Sequence, residues 1–392
     1  MTVRVDLSEL EIVDAHTHAL PISILQANDA KGFVERLTMT GMCLKSAGYD
    51  DRKLDALVSS FSDTTPVISG MIAALAKLLN CPPSRDEVAR TRRRRIEGDA
   101  ARYLQELMTD ANIGGLVIDD GYPQPRVAPE TIVKEYARPV ASVVRIEPLI
   151  ASIVKTARDW PDLRDQFTAA LEAAIARGAM AIKSIIAYRT GLDIGEWPEA
   201  AVTAAFEGWR RDGFKESRAY SKPVRDALLH RSLDIAKKMD VPVHIHTGGG
   251  DADIVLEYAQ PRNMFALLKS RYDQDIVLIH SGWPWTSEAA YIASILPRVY
   301  LETSLATPWA SLAIDQRLTT LLGIAPPAKV MYGSDASSEP EVLWFSARMA
   351  RNALGRVLTE AADRGWMNAS EALAIGKSVL SGNVRRLHKL NF

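Results

Sequence analysis

The amino-acid sequence predicts an α/β fold, a closed (β/α)8 TIM barrel. Eight short apolar segments with strand character recur along the 392 residues, and from residue 114 onward helical segments separate them. Several of these segments are continuously apolar, as expected for parallel strands that are covered on both faces. Five of them end in histidine, lysine or aspartate, and barrel enzymes carry their active sites at the carboxyl ends of the strands.

The strands are expected in a regular order along the chain. The first covers about residues 10–16, and the others cover about 114–119, 143–148, 179–186, 241–246, 276–280, 298–303 and 329–334. Helices are expected between them, for example over residues 163–177 and 224–239. After the last strand the pattern is helical to the end, mainly over residues 344–358 and 369–380.

A long helical segment separates the first two strands. It is too long for a simple loop, so we interpret residues 22–110 as a helical insertion that caps the first strand, within a single domain of residues 1–392. Ser84 is a candidate N-cap for one of its helices, with Glu87 three residues later. The arginine-rich run of residues 90–95 falls on that helix among acidic residues. This mixture favours a salt-bridged, solvated face or a subunit contact over a nucleic-acid patch.

Composition narrows the classes of partner. The chain has 47 Lys+Arg and 48 Asp+Glu, a net charge of -1, which gives no reason to expect nucleic acid or an anionic membrane as partner. Cys43 and Cys81 lie far apart and in no metal-binding spacing, so we expect free thiols in a reducing compartment. The sequence shows neither a signal peptide nor a membrane span. We expect a cytoplasmic protein that acts on a small molecule, with homo-oligomerisation left open.

A candidate metal site comes from the strand ends. Alternate side chains of a strand point to the same face, so His16 and His18 project together from the first strand. Other strands end in four further candidates, namely Lys183, His246, His280 and Asp335. Each has a plainer interpretation as a core histidine or a paired charge, but their joint occurrence favours a metal site. Histidine with carboxylate suits Zn²⁺, Mn²⁺, Fe²⁺ or Co²⁺.

These motifs resemble those of a known group of enzymes. The segments Val13–His18, His246–Gly248, His280–Gly282 and Gly333–Asp335 resemble the amidohydrolase superfamily of metal-dependent barrel enzymes, in particular its amidohydrolase-2 branch. The run of residues 244–251 and the later Trp283-Pro284-Trp285 are similar to the barrel domains that are fused to glutamine-synthetase-like domains.

The resemblance implies roles for the strand-end residues. It makes His16, His18, His246 and Asp335 the ligands of one divalent ion, most simply zinc, with Asp335 also the general base. His280 would orient or polarise the substrate, or bind a second metal. Lys183 lies where binuclear relatives carry a carbamylated lysine that bridges two metals. One ion is favoured over two.

Residues that follow the strands are candidates for substrate binding. Tyr188 and Arg189 directly follow the fourth strand, and Arg189 is expected either to bind a substrate carboxylate or to pair with Asp193 or Glu196. Trp283 and Trp285 are expected to line an apolar pocket or merely to exclude water.

Two further features of the fifth strand are less specific. His244 shares a face with His246, either one layer deeper or at the rim. Asp251 and Asp253 are candidate substrate contacts or helix caps, and capping is favoured.

Together with the resemblance, these features predict a metal-dependent hydrolase that activates water for attack on an amide or lactone carbonyl of a small carboxylated substrate. The resemblance to barrel domains fused to glutamine-synthetase-like domains implies a γ-glutamyl amide or a similar substrate. A metal-dependent, non-oxidative decarboxylase of an aromatic or unsaturated acid is the alternative. A non-catalytic scaffold and a uronate isomerase are further hypotheses.

Overall fold

The predicted barrel is confirmed. The computed structural model of the chain describes residues 4–28, 32–40, 43, 47–48 and 52–392. Within them, eight parallel strands form one sheet in sequence order. The strands are β1 (Ile12–His18), β2 (Ile113–Asp119), β3 (Val140–Arg145), β4 (Ala179–Ser184), β5 (Val243–His246), β6 (Ile276–Ile279), β7 (Val299–Glu302) and β8 (Val330–Met331).

Helices surround this sheet. Those between β1 and β2 are Ile22–Ala27, Arg52–Thr64, Pro66–Leu79 and Arg85–Asp110. Those that follow the next strands are Pro129–Tyr136, Ile146–Ile153, Trp160–Ala176, Glu199–Arg211, Ser221–Met239, Phe265–Ser270, Thr286–Ile295, the single turn Ala306–Trp309, and Ile314–Ile324. After β8 come Pro340–Asp363, Ala369–Lys377 and Asn383–Leu387, the last two joined by a π-helical turn.

The expected third strand was placed too late in the sequence. We expected it at residues 143–148, whereas β3 ends at Arg145 and Ile146 begins a helix. The apolar pattern continues across this boundary, so periodicity alone does not mark it. Pro148 fits because the first turn of a helix needs no donor from its backbone nitrogen.

The barrel closes around the end of β1. Because β8 has only two residues, the chain that follows it completes the seam. The Ala15 amide donates to Tyr332 O at 2.9 Å, and the Asp335 amide donates to His16 O at 2.9 Å. The backbone of Asp335 is therefore bonded to the backbone of His16.

The C-terminal segment closes the other end of the barrel. Val384 and Leu387 pack with the small apolar side chains that fill the barrel interior. The side-chain Nδ2 of Asn383 donates to Val330 O, at the start of β8, at 2.7 Å. This segment therefore lies opposite the carboxyl ends of the strands, which stay free to form a site.

The helix Arg85–Asp110 is anchored to the barrel through a buried ion-pair network. Arg92 is 1% exposed, and its guanidinium pairs with Glu339 and with Glu341, each at 2.5 Å. Tyr103 donates to Glu341 at 2.6 Å. The expectation of a solvated arginine face is thus wrong for Arg92, because its partners come from a distant part of the chain.

Three smaller expectations concern the start of this helix, the two cysteines and membrane spans. Ser84 caps the helix by accepting from the Glu87 amide at 3.3 Å, as predicted. Cys43 and Cys81 are not joined in a disulfide. Across the part of the chain that the structure describes, no helix is long and apolar enough to cross a membrane.

Candidate metal centre

Two histidines of β1 and the aspartate after β8 form the centre of the site. The Nε2 atoms of His16 and His18 lie 3.3 Å and 3.2 Å from the same carboxylate oxygen of Asp335. The alternation of β1 directs both rings to one side, and the seam hydrogen bond brings Asp335 to them. Asp335 has a φ of 56°, a left-handed conformation that aspartate tolerates better than most residues.

A second carboxylate, Asp119, lies near the same histidines. Donor atoms of His16, His18 and Asp119 form one close group, and those of His16, His280 and Asp335 form another. Both oxygens of Asp119 accept from Arg145 at the end of β3, Oδ1 at 3.0 Å and Oδ2 at 2.6 Å. Asp335 lacks such a guanidinium partner in the described chain, so it is the carboxylate that is available to a cation.

The protonation states suit a divalent cation. Burial and the charge of Lys183 lower the pKa of His16 to about 4, and the same two causes lower the pKa of His246 to about 3. Burial opposes ionisation of Asp335, but His280, His16 and His18 together hold its pKa well below the usual value. Metal ligands must be neutral imidazoles and ionised carboxylates. The residues present therefore fit the metal ion that the resemblance implies.

His246 faces His280 and not the β1 histidines. Its Nε2 lies 3.1 Å from Gly249 O, which fixes the proton on that nitrogen, and its Nδ1 lies 3.0 Å from His280 Nε2. Gly248 shapes this turn with a φ of 85°, and a Cβ there would lie 2.2 Å from Trp283 O. Of the four ligands that the resemblance implies, three come together at Asp335 and His246 lies beside His280.

His280 is bonded to a buried acid through a serine. Its Nδ1 lies 2.8 Å from Ser304 Oγ, which donates to Glu302 at 2.6 Å. The Glu302 carboxylate also accepts from the His280 amide at 3.2 Å. Burial raises the pKa of Glu302 to about 7, against the hydrogen bonds from Ser304. Burial also holds the pKa of His280 well below its usual value, with His246 adding to the effect.

Lys183 points into the same space from β4. Its Nζ lies 3.3 Å from His16 Nε2, and the side chain is 1% exposed. Burial lowers the pKa of Lys183 to about 8, although Asp119 opposes the shift. At this position the resemblance implies a carbamylated lysine that bridges two metals in the binuclear relatives.

A cavity of about 240 Å³ lies above these residues. Tyr188 and Arg189 line it, as the sequence predicts for substrate-binding residues, and the Tyr188 ring lies 4.5 Å from that of His246. Asp193, one of the two expected partners of Arg189, pairs with Arg218 and Lys222 instead. Within the described chain, the Arg189 side chain forms no ion pair.

Three predicted substrate-binding residues are not among those that line the cavity. His244 is buried one layer deeper, with its Nε2 2.7 Å from His388 Nε2. Trp283 and Trp285 also lie outside the cavity lining. Trp283 contributes its carbonyl, which accepts from the Gly249 amide at 2.6 Å.

Four residues of the site were not predicted from the sequence, namely Asp119, Arg145, Glu302 and Ser304. Asp119 ends β2 in the same way as the residues that were identified end their strands, so the same signal applies to it. Arg145 was hidden because the third strand was placed too late. Glu302 ends β7, so the same signal applies to it as well. Ser304 carries no local signal, since its role depends on contact with His280.

A parallel eight-stranded barrel with histidine and aspartate donors at the carboxyl ends of its strands defines a metal-dependent enzyme of the TIM-barrel class. The sequence profile of the amidohydrolase family Amidohydro_2 matches residues 13–346, and the chain belongs to that family. The resemblance to the amidohydrolase-2 branch is thereby confirmed, and metal-dependent hydrolysis is the general activity that the family supports.

Individual relatives are more distant. The chain is 28% identical over 327 residues to the protein fluG of Emericella nidulans, covering 76% of this chain and 36% of fluG. The chain thus spans about a third of that relative, in accord with the resemblance to a barrel domain within longer proteins.

Solved structures share the fold. A protein from Lactobacillus casei, provisionally described as a metal-dependent hydrolase, has a TM-score of 0.83 at 22% identity, covering 99% of this chain and 98% of that one. Uronate isomerase from Thermotoga maritima has a TM-score of 0.69 at 15% identity, with 97% and 95% covered. Uronate isomerase from Bacillus halodurans has a TM-score of 0.66 at 15% identity, covering 98% of this chain and 94% of that one. At these identities the likeness concerns the fold.

Proposed function

We propose that the chain is a metal-dependent hydrolase that cleaves an amide bond of a small carboxylated substrate. The observation that supports this most directly is the convergence of His16, His18 and Asp335 beneath a small cavity that also holds the unpaired Arg189. A divalent ion, with zinc favoured and one ion favoured over two, would be held by His16, His18 and Asp335. When bound, such an ion acidifies water and polarises a carbonyl.

Asp335 is the general base of this proposal. Its low pKa keeps it ionised, and it accepts the proton that the attacking water gives up as the water oxygen bonds to the carbonyl carbon. The carbon–nitrogen bond then breaks, and the leaving amine takes up a proton. The products are a carboxylate and an amine.

His280 supplies that proton from Nε2. A buried imidazolium is unfavourable there, as the low pKa of His280 shows. Neutral His280 carries its proton on Nε2 when Glu302 is protonated and Ser304 donates to Nδ1. As Nε2 gives up that proton, Ser304 passes its proton to Nδ1 and Glu302 passes its proton to Ser304, so that no imidazolate forms. The pKa of Glu302, about 7, suits this exchange near neutral pH.

Arg189 binds the substrate carboxylate. Its guanidinium lines the cavity without a competing carboxylate partner, and a planar guanidinium binds a carboxylate through two parallel hydrogen bonds. Such an anchor fixes the scissile carbonyl relative to Asp335.

The proposal is tested by assaying metal-loaded protein against carboxylated amides and carboxylated aromatics, following amine release and CO2 release separately. We expect amine release without CO2, and Asp335→Asn to reduce it by about 10²–10⁴-fold while the circular dichroism spectrum is unchanged. Asp315→Asn, an exposed carboxylate paired with Arg356, is the matched control.

Other outcomes reject the proposal. CO2 release without amide cleavage would establish the decarboxylase alternative. Protein that takes up no metal on reconstitution, by mass spectrometry of metal content, would support the scaffold hypothesis. Full turnover by the Asp335→Asn variant would remove Asp335 as the base.

A further inference from the structure

The cavity carries unpaired charges of both signs. Arg189 lines it, and so do Asp251 and Asp253 from the loop after β5. No described cation forms an ion pair with either aspartate, and Arg189 pairs with neither of them. The other guanidinium in the lining, that of Arg145, is occupied by Asp119.

The two aspartates are not helix caps, which corrects our favoured interpretation. The next helical turn begins after Val255, which caps it instead. The Asp251 amide donates to Tyr188 Oη at 3.1 Å, and a Cβ on Gly250 would lie only 1.7 Å from that oxygen. The loop therefore packs tightly on Tyr188, with its aspartates directed to the cavity.

The negative charges lie close together. Burial raises the pKa of Asp251, and the charge of Asp253 adds to the shift. Asp251 also accepts from the Cys43 thiol at 3.8 Å, a weak and uncharged partner. A cationic group of a ligand is the partner that would relieve this repulsion.

The two kinds of charge line one cavity and belong to segments that contact each other. Tyr188 is the sequence neighbour of Arg189 and the hydrogen-bond partner of the Asp251 loop. A dipeptide would need its ammonium and carboxylate on opposite sides of the scissile amide. An α-amino acid carries both groups on one carbon, and its side chain extends away from them.

We propose that the substrate is an α-amino acid whose side chain carries the scissile amide, with its α-carboxylate bound by Arg189 and its α-ammonium bound by Asp251 and Asp253. This inference rests on the proposed function, since the side-chain carbonyl must reach the metal centre. It narrows the substrate class from carboxylated amides to zwitterionic ω-amides.

Binding of reaction products tests the inference without turnover. Isothermal titration calorimetry of the zinc-loaded protein would compare L-glutamate with glutarate, which lacks only the ammonium, and with 4-aminobutyrate, which lacks only the α-carboxylate. We expect L-glutamate to bind about 10–100-fold more tightly than either, because each lost charged hydrogen bond costs about that factor.

Variants of the cavity residues test which side chain binds each charged group of the ligand. In the double variant Asp251→Asn/Asp253→Asn, we expect the preference for L-glutamate over glutarate to fall towards one. In Arg189→Met, the preference over 4-aminobutyrate should fall in the same way. Asp273→Asn, an exposed residue paired with Lys237, is the control and should keep both preferences.

The outcomes separate this inference from the proposed function. Equal affinity for L-glutamate and glutarate, or no binding of any of the three, would overturn the zwitterion proposal even if amides are hydrolysed. Selective binding of L-glutamate without any amide cleavage would support the ligand class and reject hydrolysis.

Discussion

Ser304 Oγ lies 2.8 Å from Nδ1 of His280, so a single hydroxyl joins the imidazole beside the metal centre to the buried carboxylate of Glu302. When Glu302 is ionised, the single proton of the serine goes to the Glu302 oxygen at 2.6 Å, and Nδ1 of His280 donates to Ser304. When Glu302 is protonated, the hydroxyl donates to Nδ1 instead, and Nε2 carries the proton that its 3.0 Å contact with Nδ1 of His246 requires. Ser304 thus links the protonation of Glu302 to the choice of which nitrogen of His280 carries the proton.

The first prediction concerns this serine. Ser304→Ala removes the hydroxyl that orients His280, and loss of such a partner typically costs about 10–100-fold in activity. We expect the loss in kcat rather than in KM, with a changed pH profile of kcat. Ser294→Ala, at an exposed serine whose hydroxyl donates to Tyr291 O, should behave as the parent protein. An unchanged kcat in Ser304→Ala would refute the proposed proton transfer between His280 and Glu302 through Ser304.

The second prediction concerns Arg92. Arg92→Met leaves the carboxylates of Glu339 and Glu341 buried without their shared guanidinium, and breaking a buried pair costs about 3–5 kcal/mol. Urea denaturation should show this loss. The control Arg90→Met removes an exposed partner of Glu87 and should change the free energy of unfolding by less than about 1 kcal/mol. Equal effects of the two variants would contradict the buried network.

The third prediction concerns Gly333. A Cβ at this position would lie 2.1 Å from a carboxylate oxygen of Glu302 and 3.2 Å from the His16 amide nitrogen. Gly333→Ala should therefore cost about 1–3 kcal/mol and weaken metal binding, as measured by denaturation and metal titration. At Gly323, an added Cβ has no neighbour within 4 Å, so Gly323→Ala should not destabilise the protein. Normal metal affinity in Gly333→Ala would disprove the predicted clash.

The fourth prediction concerns pH. Burial lowers the pKa of His388 to about 4, as it does for His16, whereas an unfolded histidine titrates near 6.5. Between these values the unfolded chain binds more protons, so stability falls as pH falls from about 6.5 to 4, by about 1.4 kcal/mol per pH unit per histidine. Thermal denaturation of chelator-treated protein at several pH values measures the slope.

A variant separates the share of one histidine. In His388→Asn we expect the free energy of unfolding to depend less steeply on pH between about pH 6 and 5. The slope should be smaller by the contribution of one proton, about 1.4 kcal/mol per pH unit. Stability that does not change between pH 7 and 5 would show that these histidines are already protonated in the folded protein.

Local sequence patterns were enough to predict the barrel and the strand-end residues. His16 and His18 could be identified because the two-residue period of a strand fixes their common direction. Asp335 could be identified because it ends an apolar segment, even though β8 itself has only two residues.

Features that depend on distant contacts could not be predicted in this way. The burial of Arg92 depends on acids about 250 residues later, and a charged run by itself indicates a solvated surface. The same holds for His244, whose partner His388 comes from the C-terminal segment. The two-residue period of a strand indicates which face a side chain lies on, but not how deep in the barrel that side chain lies.

The hydrogen bond from the Asp335 amide to His16 O has a consequence for biosynthesis. His16 and His18 are synthesised more than 300 residues before Asp335, the carboxylate that completes their group. A nascent or prematurely terminated chain therefore presents two histidines with no closed barrel around them. The donor group is therefore complete only once β8 and the segment after it have been synthesised and have closed the barrel.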